Sequence, residues 1–255
     1  MAIEIRDLDG GVRIMQLNRP PANAINSELM NALENACAAA ARDPAVRAVV
    51  VTGSGKFFCG GLDLRALTGS PQEGRQLSAF GRNDGVFALW TLPKPTIAMV
   101  NGHAIAGGGI LTLACDVRIG AHGNAKIGLN ETAIGLPLPA GALAITGLAL
   151  TNQQARRVCL EAELYPPTVA RELGILDEVV EPAKLEEACL AKARLLAAYP
   201  QAAYAYNKRA LQHDAVQLVL NETDEQRRAA FAVWTSPETV QKLNQQLSGI
   251  SSKGK

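Results

Sequence analysis

At 255 residues, with 48% hydrophobic and 19% charged side chains, the chain is long enough to bury a sizeable core and too apolar to be disordered. A net charge of +1 without any basic run excludes the electrostatic footprint of a nucleic-acid or acidic-membrane binder. The opening "MAIEIRDLDGG" is no secretory signal and no stretch reaches the roughly 18 apolar residues of a membrane span, so the expected location is cytoplasmic. Cys37, Cys59, Cys115, Cys159 and Cys189 are odd in number and lack C-x-x-C spacing, so reduced thiols are expected. His103, His122 and His213 lie far apart, and no metal is expected.

In chain order, "IEIRDL" and "VRIMQL", joined by Asp9, Gly10 and Gly11, read as a β-hairpin. Asn26 or Ser27 then caps a helix running from about Ser27 to Arg42, and "VRAVVVTG" follows as a buried strand. After Ser70 the spacing predicts a helix through "GRNDGVFALWTL", a strand "TIAMVNG", a Gly-rich turn, a short helix "GGILTLA" and a strand "CDVRIGA". From about Thr151 the pattern is mostly helical: "TNQQARRVCLEA", "PPTVARELG", a strand "ILDEVVE" and a helix from near Pro182. The residues from Pro200 onward read as helical throughout, with a fresh start at Ser236, Pro237 and Glu238. The class is α/β with parallel strands, divided into a core over 1–199 and a helical region over 200–255 that acts as lid or subunit interface.

Between Arg118 and Arg156 only Lys126 and Glu131 carry formal charge, and Glu131 sits among Gly, Leu, Ile, Ala and Pro in "KIGLNETAIGLPLP". An apolar setting raises a carboxyl's pKa and makes a base that works near neutral pH. Two Gly-rich segments supply what such a base needs beside it. In "FFCGGLDLRAL", Gly60 and Gly61 let the chain leave a strand in an unusual conformation with its following amides unpaired; an ordinary glycine turn is the plainer alternative. In "NGHAIAGGGILTLACD", the glycines Gly107, Gly108 and Gly109 open a helix whose first amides lack intrahelical acceptors. Two backbone donors from two loops can hold an oxygen that becomes negative during reaction. "TGSGKFF" imitates a phosphate loop but fails it, because Val50 stands where glycine is required and Phe57 follows Lys56. His103 is read as structural, and Phe87, Trp90 and Leu136 to Leu138 as pocket lining or core.

The ordered set "NRP…NA…N", "FFCGGLDL", "VNGHAIAGGG…CD" and "GLNETAIGL" resembles the crotonase superfamily, also called the enoyl-CoA hydratase/isomerase family. The resemblance implies a ββα spiral core, C-terminal helices that trimerise, and a homotrimer or dimer of trimers. It implies an acyl-CoA thioester as substrate and no cofactor besides that coenzyme A. By position, the oxyanion donors are the amides of Leu62 and Gly107, and Glu131 is the catalytic acid or base. Ala22, Asn23, Ala24, Gly60, Gly61, Asp63, Leu64, Gly108 and Asn130 fall along the substrate, and Lys253 near a neighbour's phosphate. Hydratases of the family use two glutamates, and the first falls here on Ile110. One acid is missing, a pattern similar to the Δ3,Δ2-enoyl-CoA isomerases, as is "YPPTVARELGILDEVV". A one-glutamate hydratase or other crotonase-type reaction is the alternative, and a non-catalytic acyl-CoA-binding module a third.

Overall fold

A computed structural model describes residues 1–82 and 84–253. The opening hairpin forms as β1 (Ile3–Leu8) against β2 (Val12–Leu17), antiparallel. β2 then pairs in parallel with β3 (Ala48–Gly53), and β5 (Thr96–Val100), β7 (Val117–Ala121) and β9 (Glu178–Val180) extend a six-stranded sheet in the order β1-β2-β3-β5-β7-β9. Every residue of β3 and β5 is buried, which is why these segments read as continuous apolar runs. A second, three-stranded parallel sheet consists of β4 (Phe57–Cys59), β6 (His103–Ile105) and β8 (Ile127–Gly128).

Helices cover both faces of the large sheet. On one, α1 (Ser27–Arg42) buries Leu29, Met30, Leu33, Cys37 and Ala40 in the main core with Val49, Val51 and Ala98. Its start is capped by the Asn26 side chain on the Leu29 amide at 3.0 Å. Its end is tied by buried Lys94, whose Nζ donates to the carbonyls of Ala40, Asp43 and Val46 at 2.5, 2.6 and 2.7 Å. On the other face, α9 (Leu185–Ala197) packs Leu185, Cys189, Ala193 and Ala197 onto Ile14, Val50, Ile97 and Met99. The intervening helices are α2 (Leu64–Gly69), α3 (Pro71–Leu77), α4 (Gly85–Trp90), α5 (Gly107–Leu113), α6 (Ala140–Ala149), α7 (Asn152–Arg156) and α8 (Pro167–Glu172).

The predicted helix through "GRNDGVFALWTL" is shorter than its pattern, because Asp84 caps it at the amides of Val86 and Phe87 and only α4 forms. The predicted helix "TNQQARRVCLEA" likewise stops as α-helix at Arg156 and continues as a π-turn, Arg157–Glu161. The residues from Gln201 form α10 (Gln201–Leu220), α11 (Asp224–Trp234) and α12 (Pro237–Lys253). α10 lies on α6 and sends Lys208 inward to Asp116 at 2.8 Å, while α11 and α12 fold back on the same chain. Trp234 Nε1 donates to the Pro137 carbonyl at 3.0 Å, and Thr239 Oγ1 to that of Gly135 at 2.8 Å. The outer sides of α6 and α10 leave Leu143, Leu148, Leu211 and Leu218 exposed. No helix among the described residues is long and apolar enough to cross a membrane.

Candidate active site

The small sheet organises the site. Its three strands run parallel and adjacent, and each is followed within a few residues by one predicted functional group: β4 by Leu62, β6 by Gly107, β8 by Glu131. Neighbouring strands lie about 4.8 Å apart and run the same way, so the three groups emerge at one edge of the sheet, that of β6 between the other two.

Leu62 is held by a parallel bridge to Ile25, in which the Ile25 amide donates to the Gly61 carbonyl at 2.7 Å and the Asp63 amide to the Ile25 carbonyl at 2.8 Å. This pairing turns the Leu62 amide to the opposite side, where it has no carbonyl acceptor among the described residues. Gly61 takes φ +84°, and a β-carbon there would lie 2.7 Å from the Ile105 carbonyl oxygen and 3.3 Å from the Gly107 nitrogen. The two glycine loops therefore touch. Ala106 holds φ 54° and ψ −123°, a strained conformation for a residue with a side chain, and leaves the Gly107 amide at the helix start without an acceptor. Gly108 and Gly109 let α5 press onto the Cys59 carbonyl and onto Leu129, since β-carbons would come within 2.1 and 2.7 Å.

Glu131 begins a 3₁₀ turn, Thr132–Ile134, and its carbonyl accepts from the amides of Ile134 and Leu136 at 3.1 and 2.9 Å. Its side chain is buried, 6% exposed, and Oε2 has no hydrogen-bond partner. Burial is the main cause of a pKa pushed up to about 7, opposed by a hydrogen bond from its own amide. The charge of Glu131 in turn raises the thiol of Cys159, after burial itself, which places the π-turn beside it; Thr132 Oγ1 donates to the Cys159 carbonyl at 2.7 Å. The adjacent Asn130 also has a buried oxygen, Oδ1, without a partner. Half-buried Leu62, Leu64, Leu67, Ile134 and Phe231 gather around Leu136, Trp234 and Leu243, an apolar wall beside the loops.

The remaining expected residues divide in two. Ala22 and Gly60 are in contact, the Gly60 amide donating to the Ala22 carbonyl at 2.8 Å, so the 22–24 segment does flank the first loop. The side chains of Asn23 and Asp63 serve the scaffold. Fully buried Asn23 donates to the carbonyls of Ser54 and Phe57 at 3.0 and 2.8 Å and accepts from the Arg19 amide and the Ser54 hydroxyl at 3.0 and 3.1 Å. Asp63 pairs with Arg19 at 2.7 Å and caps α2 at the Arg65 and Ala66 amides. His103 accepts from the Lys126 amide at 2.9 Å and stacks on Phe57, in keeping with a structural role. Trp90, with Phe87 edge-on to it, lines a groove of about 550 Å³ between α5, α6 and α10, together with Cys115, Ile145 and Lys208. The side chain of Lys253 lies outside the described residues. Sequence reading gave no role to Arg19, Thr132, Cys159 or Thr239, because the contacts Arg19–Asp63, Thr132–Cys159 and Thr239–Gly135 span 44, 27 and 104 positions and leave no local pattern.

A family model described as enoyl-CoA hydratase/isomerase matches residues 7–249. Among curated proteins, a crotonyl-CoA hydratase of Syntrophomonas wolfei is 34% identical over 176 residues, 68% of this chain and 66% of that protein. Among solved structures, the human mitochondrial Δ3,Δ2-enoyl-CoA isomerase superposes with a TM-score of 0.93 at 23% identity, covering 99% of each chain. An Mtb enoyl-CoA isomerase superposes with a TM-score of 0.79 at 29% identity, covering 91% of this chain and 97% of the other.

Proposed function

Since the chain belongs to the enoyl-CoA hydratase/isomerase family, we propose that it is a Δ3,Δ2-enoyl-CoA isomerase, converting a 3-enoyl-CoA to the 2-trans-enoyl-CoA. The observation that carries this reading is one carboxyl at the two family positions: Glu131 is buried with its Oε2 unpartnered, while Ile110, where a two-acid hydratase carries its other glutamate, is a fully buried core residue. Moving a double bond needs one group that takes a proton and gives it back, with no water to activate.

In this reading the thioester oxygen accepts hydrogen bonds from the Leu62 and Gly107 amides. The Glu131 carboxylate removes a proton from C2, the C2–H electrons enter a dienolate whose charge rests on that oxygen, and the carboxyl then returns the proton to C4 as the double bond forms between C2 and C3. Ala22, Ala24, Gly60, Gly61 and Gly108 line the path of the coenzyme A arm through backbone contact, and Asn130 borders the acyl group. No further cofactor enters. The helical region from residue 200 walls the acyl end through Phe231 and Trp234, and the apolar faces of α6 and α10 join copies into a homotrimer or a dimer of trimers. Hydration by Glu131 alone is the second reading, favoured by the hydratase name of the curated relative.

The test follows 2-enoyl thioester absorbance with 3-hexenoyl-CoA and, separately, 2-hexenoyl-CoA. The isomerase reading expects rapid gain of conjugation from the first, lost by about 10²- to 10⁴-fold in Glu131→Gln, and little loss from the second. Rapid hydration of 2-hexenoyl-CoA overturns it in favour of the hydratase, and thioester binding without turnover in favour of a binding role.

A further inference from the structure

The Leu62 amide points away from its own bridge only while residues 24–25 and 61–63 stay paired, and one side chain spans both segments. Arg19 Nη1 donates to the Ala24 carbonyl at 3.0 Å and Nη2 to Asp63 Oδ2 at 2.7 Å. Ala24 precedes Ile25 and Asp63 follows Leu62, so the guanidinium fork clamps the bridge from outside, one residue away on each strand. Its own backbone is fixed in turn: the Arg19 amide donates to Asn23 Oδ1 at 3.0 Å and its carbonyl accepts from the Asn23 amide at 2.8 Å. Asp63 is committed on its other oxygen, where Oδ1 accepts from the amides of Arg65 and Ala66 at the start of α2. The pair is largely shielded, with side-chain exposures of 30% and 18%. Bonds from Arg19 and the α2 amides hold the Asp63 carboxyl below its usual range against the opposing effect of burial, the largest single contribution.

We propose that Arg19 is a positioning residue of the oxyanion site: by holding the Ala24 carbonyl and the Asp63 carboxylate together, it fixes the segment pairing that aims the Leu62 amide at the substrate's thioester oxygen. The proposal rests on the oxyanion role given to Leu62 above. It differs from a substrate contact, because both guanidinium nitrogens that face inward are spent on the protein itself. Lysine cannot replace this fork, since a single ammonium reaches the two acceptors only as a point charge.

The experiment compares wild type with Arg19→Met, Arg19→Lys and Asp63→Asn by two readouts. In steady-state turnover of 3-hexenoyl-CoA, Arg19→Met is expected to lower kcat by about ten- to a hundredfold with KM nearly unchanged, Arg19→Lys to fall between, and the Met/Asn double variant to be no worse than the Met variant alone. In infrared spectra of bound hexanoyl-CoA, an unreactive saturated thioester, the carbonyl stretch should be red-shifted in wild type and return toward its free value in Arg19→Met. A raised KM with kcat retained, or loss of melting temperature alone with the carbonyl shift intact, overturns the proposal. An unshifted carbonyl in wild type also overturns it. If wild type turns over neither enoyl thioester, the isomerase reading falls while the infrared comparison still decides the role of Arg19.

Discussion

Gly61 presents the open side of its Cα to the Gly107 amide: a β-carbon at residue 61 would stand 3.3 Å from that nitrogen and 2.9 Å from Ala106 Cβ. The two proposed oxyanion donors are thus set by one close approach of backbone to backbone. Gly61→Ala must push the loops apart at a φ of +84°, and is expected to cost about 1–3 kcal/mol of stability. It should also lower turnover of 3-hexenoyl-CoA by about 10²-fold. Gly55 is the control, since it also has positive φ (+69°) but nothing within 4 Å of its β-position; Gly55→Ala should pay only the strain and keep full activity. Denaturant unfolding and steady-state kinetics on both variants check the pair.

The raised pKa of Glu131, about 7, has opposite consequences for activity and stability. A base must be ionised, so kcat/KM should rise with pH through about 7 and level off above it. Stability runs the other way. The unfolded glutamate ionises near 4.3, so the buried protonated carboxyl favours the folded state below that pH, and the advantage is lost as pH rises through the folded value. At pH 8 the accumulated cost is on the order of 3 kcal/mol. Glu131→Gln removes the titration, so its stability relative to wild type should improve steadily from pH 5 to pH 8 in thermal melts; a difference independent of pH would contradict the burial argument.

Asn23 tests whether the segment around residues 22–24 acts through contact or through scaffold. Its amide group donates to the carbonyls of Ser54, Phe57 and Phe58 and its oxygen accepts twice, all within the protein. Asn23→Ala strands these partners and should cost about 2–4 kcal/mol. Asn23→Asp should be worse at pH 7, because a carboxylate would face the carbonyls of Ser54 and Phe57. Melting temperatures measured at pH 5 and pH 7 should separate the two variants more widely at the higher pH.

Leu211 and Leu218 lie on the exposed side of α10, at 75% and 70% exposure, beside Leu143 and Leu148 of α6. A double Leu211→Glu, Leu218→Glu variant should sediment as a monomer where wild type sediments as a trimer or hexamer. Circular dichroism should be unchanged, since neither side chain contributes to the core.

The sequence made the large sheet legible because its signals are local. The hairpin has a glycine turn between alternating runs, α1 has a capping asparagine and a periodic apolar face, and β3 and β5 are short buried runs. The small sheet was hidden, since β4, β6 and β8 have three, three and two residues, too few for a period to show. Helix α6 escaped for a related reason: its Gly, Ala and Thr residues follow two prolines and carry no polar face to set a phase. Glu131 stood out because a lone charge in an apolar stretch is visible in one dimension. Arg19 did not, because its role depends on Asp63, 44 positions away.

The way β4, β6 and β8 deliver their three groups also bears on which lengths of chain can change. Leu62, Gly107 and Glu131 each follow a strand end by two or three residues, so a single insertion or deletion in 57–62, 103–107 or 127–131 turns an amide or a carboxyl to the wrong side. The exposed turn at residues 122–124, which joins no strand to its group and has nothing within 4 Å of the β-position of Gly123, carries no such constraint. Homologous chains that keep the same chemistry should therefore vary in length freely there and hold those three short intervals to the residue.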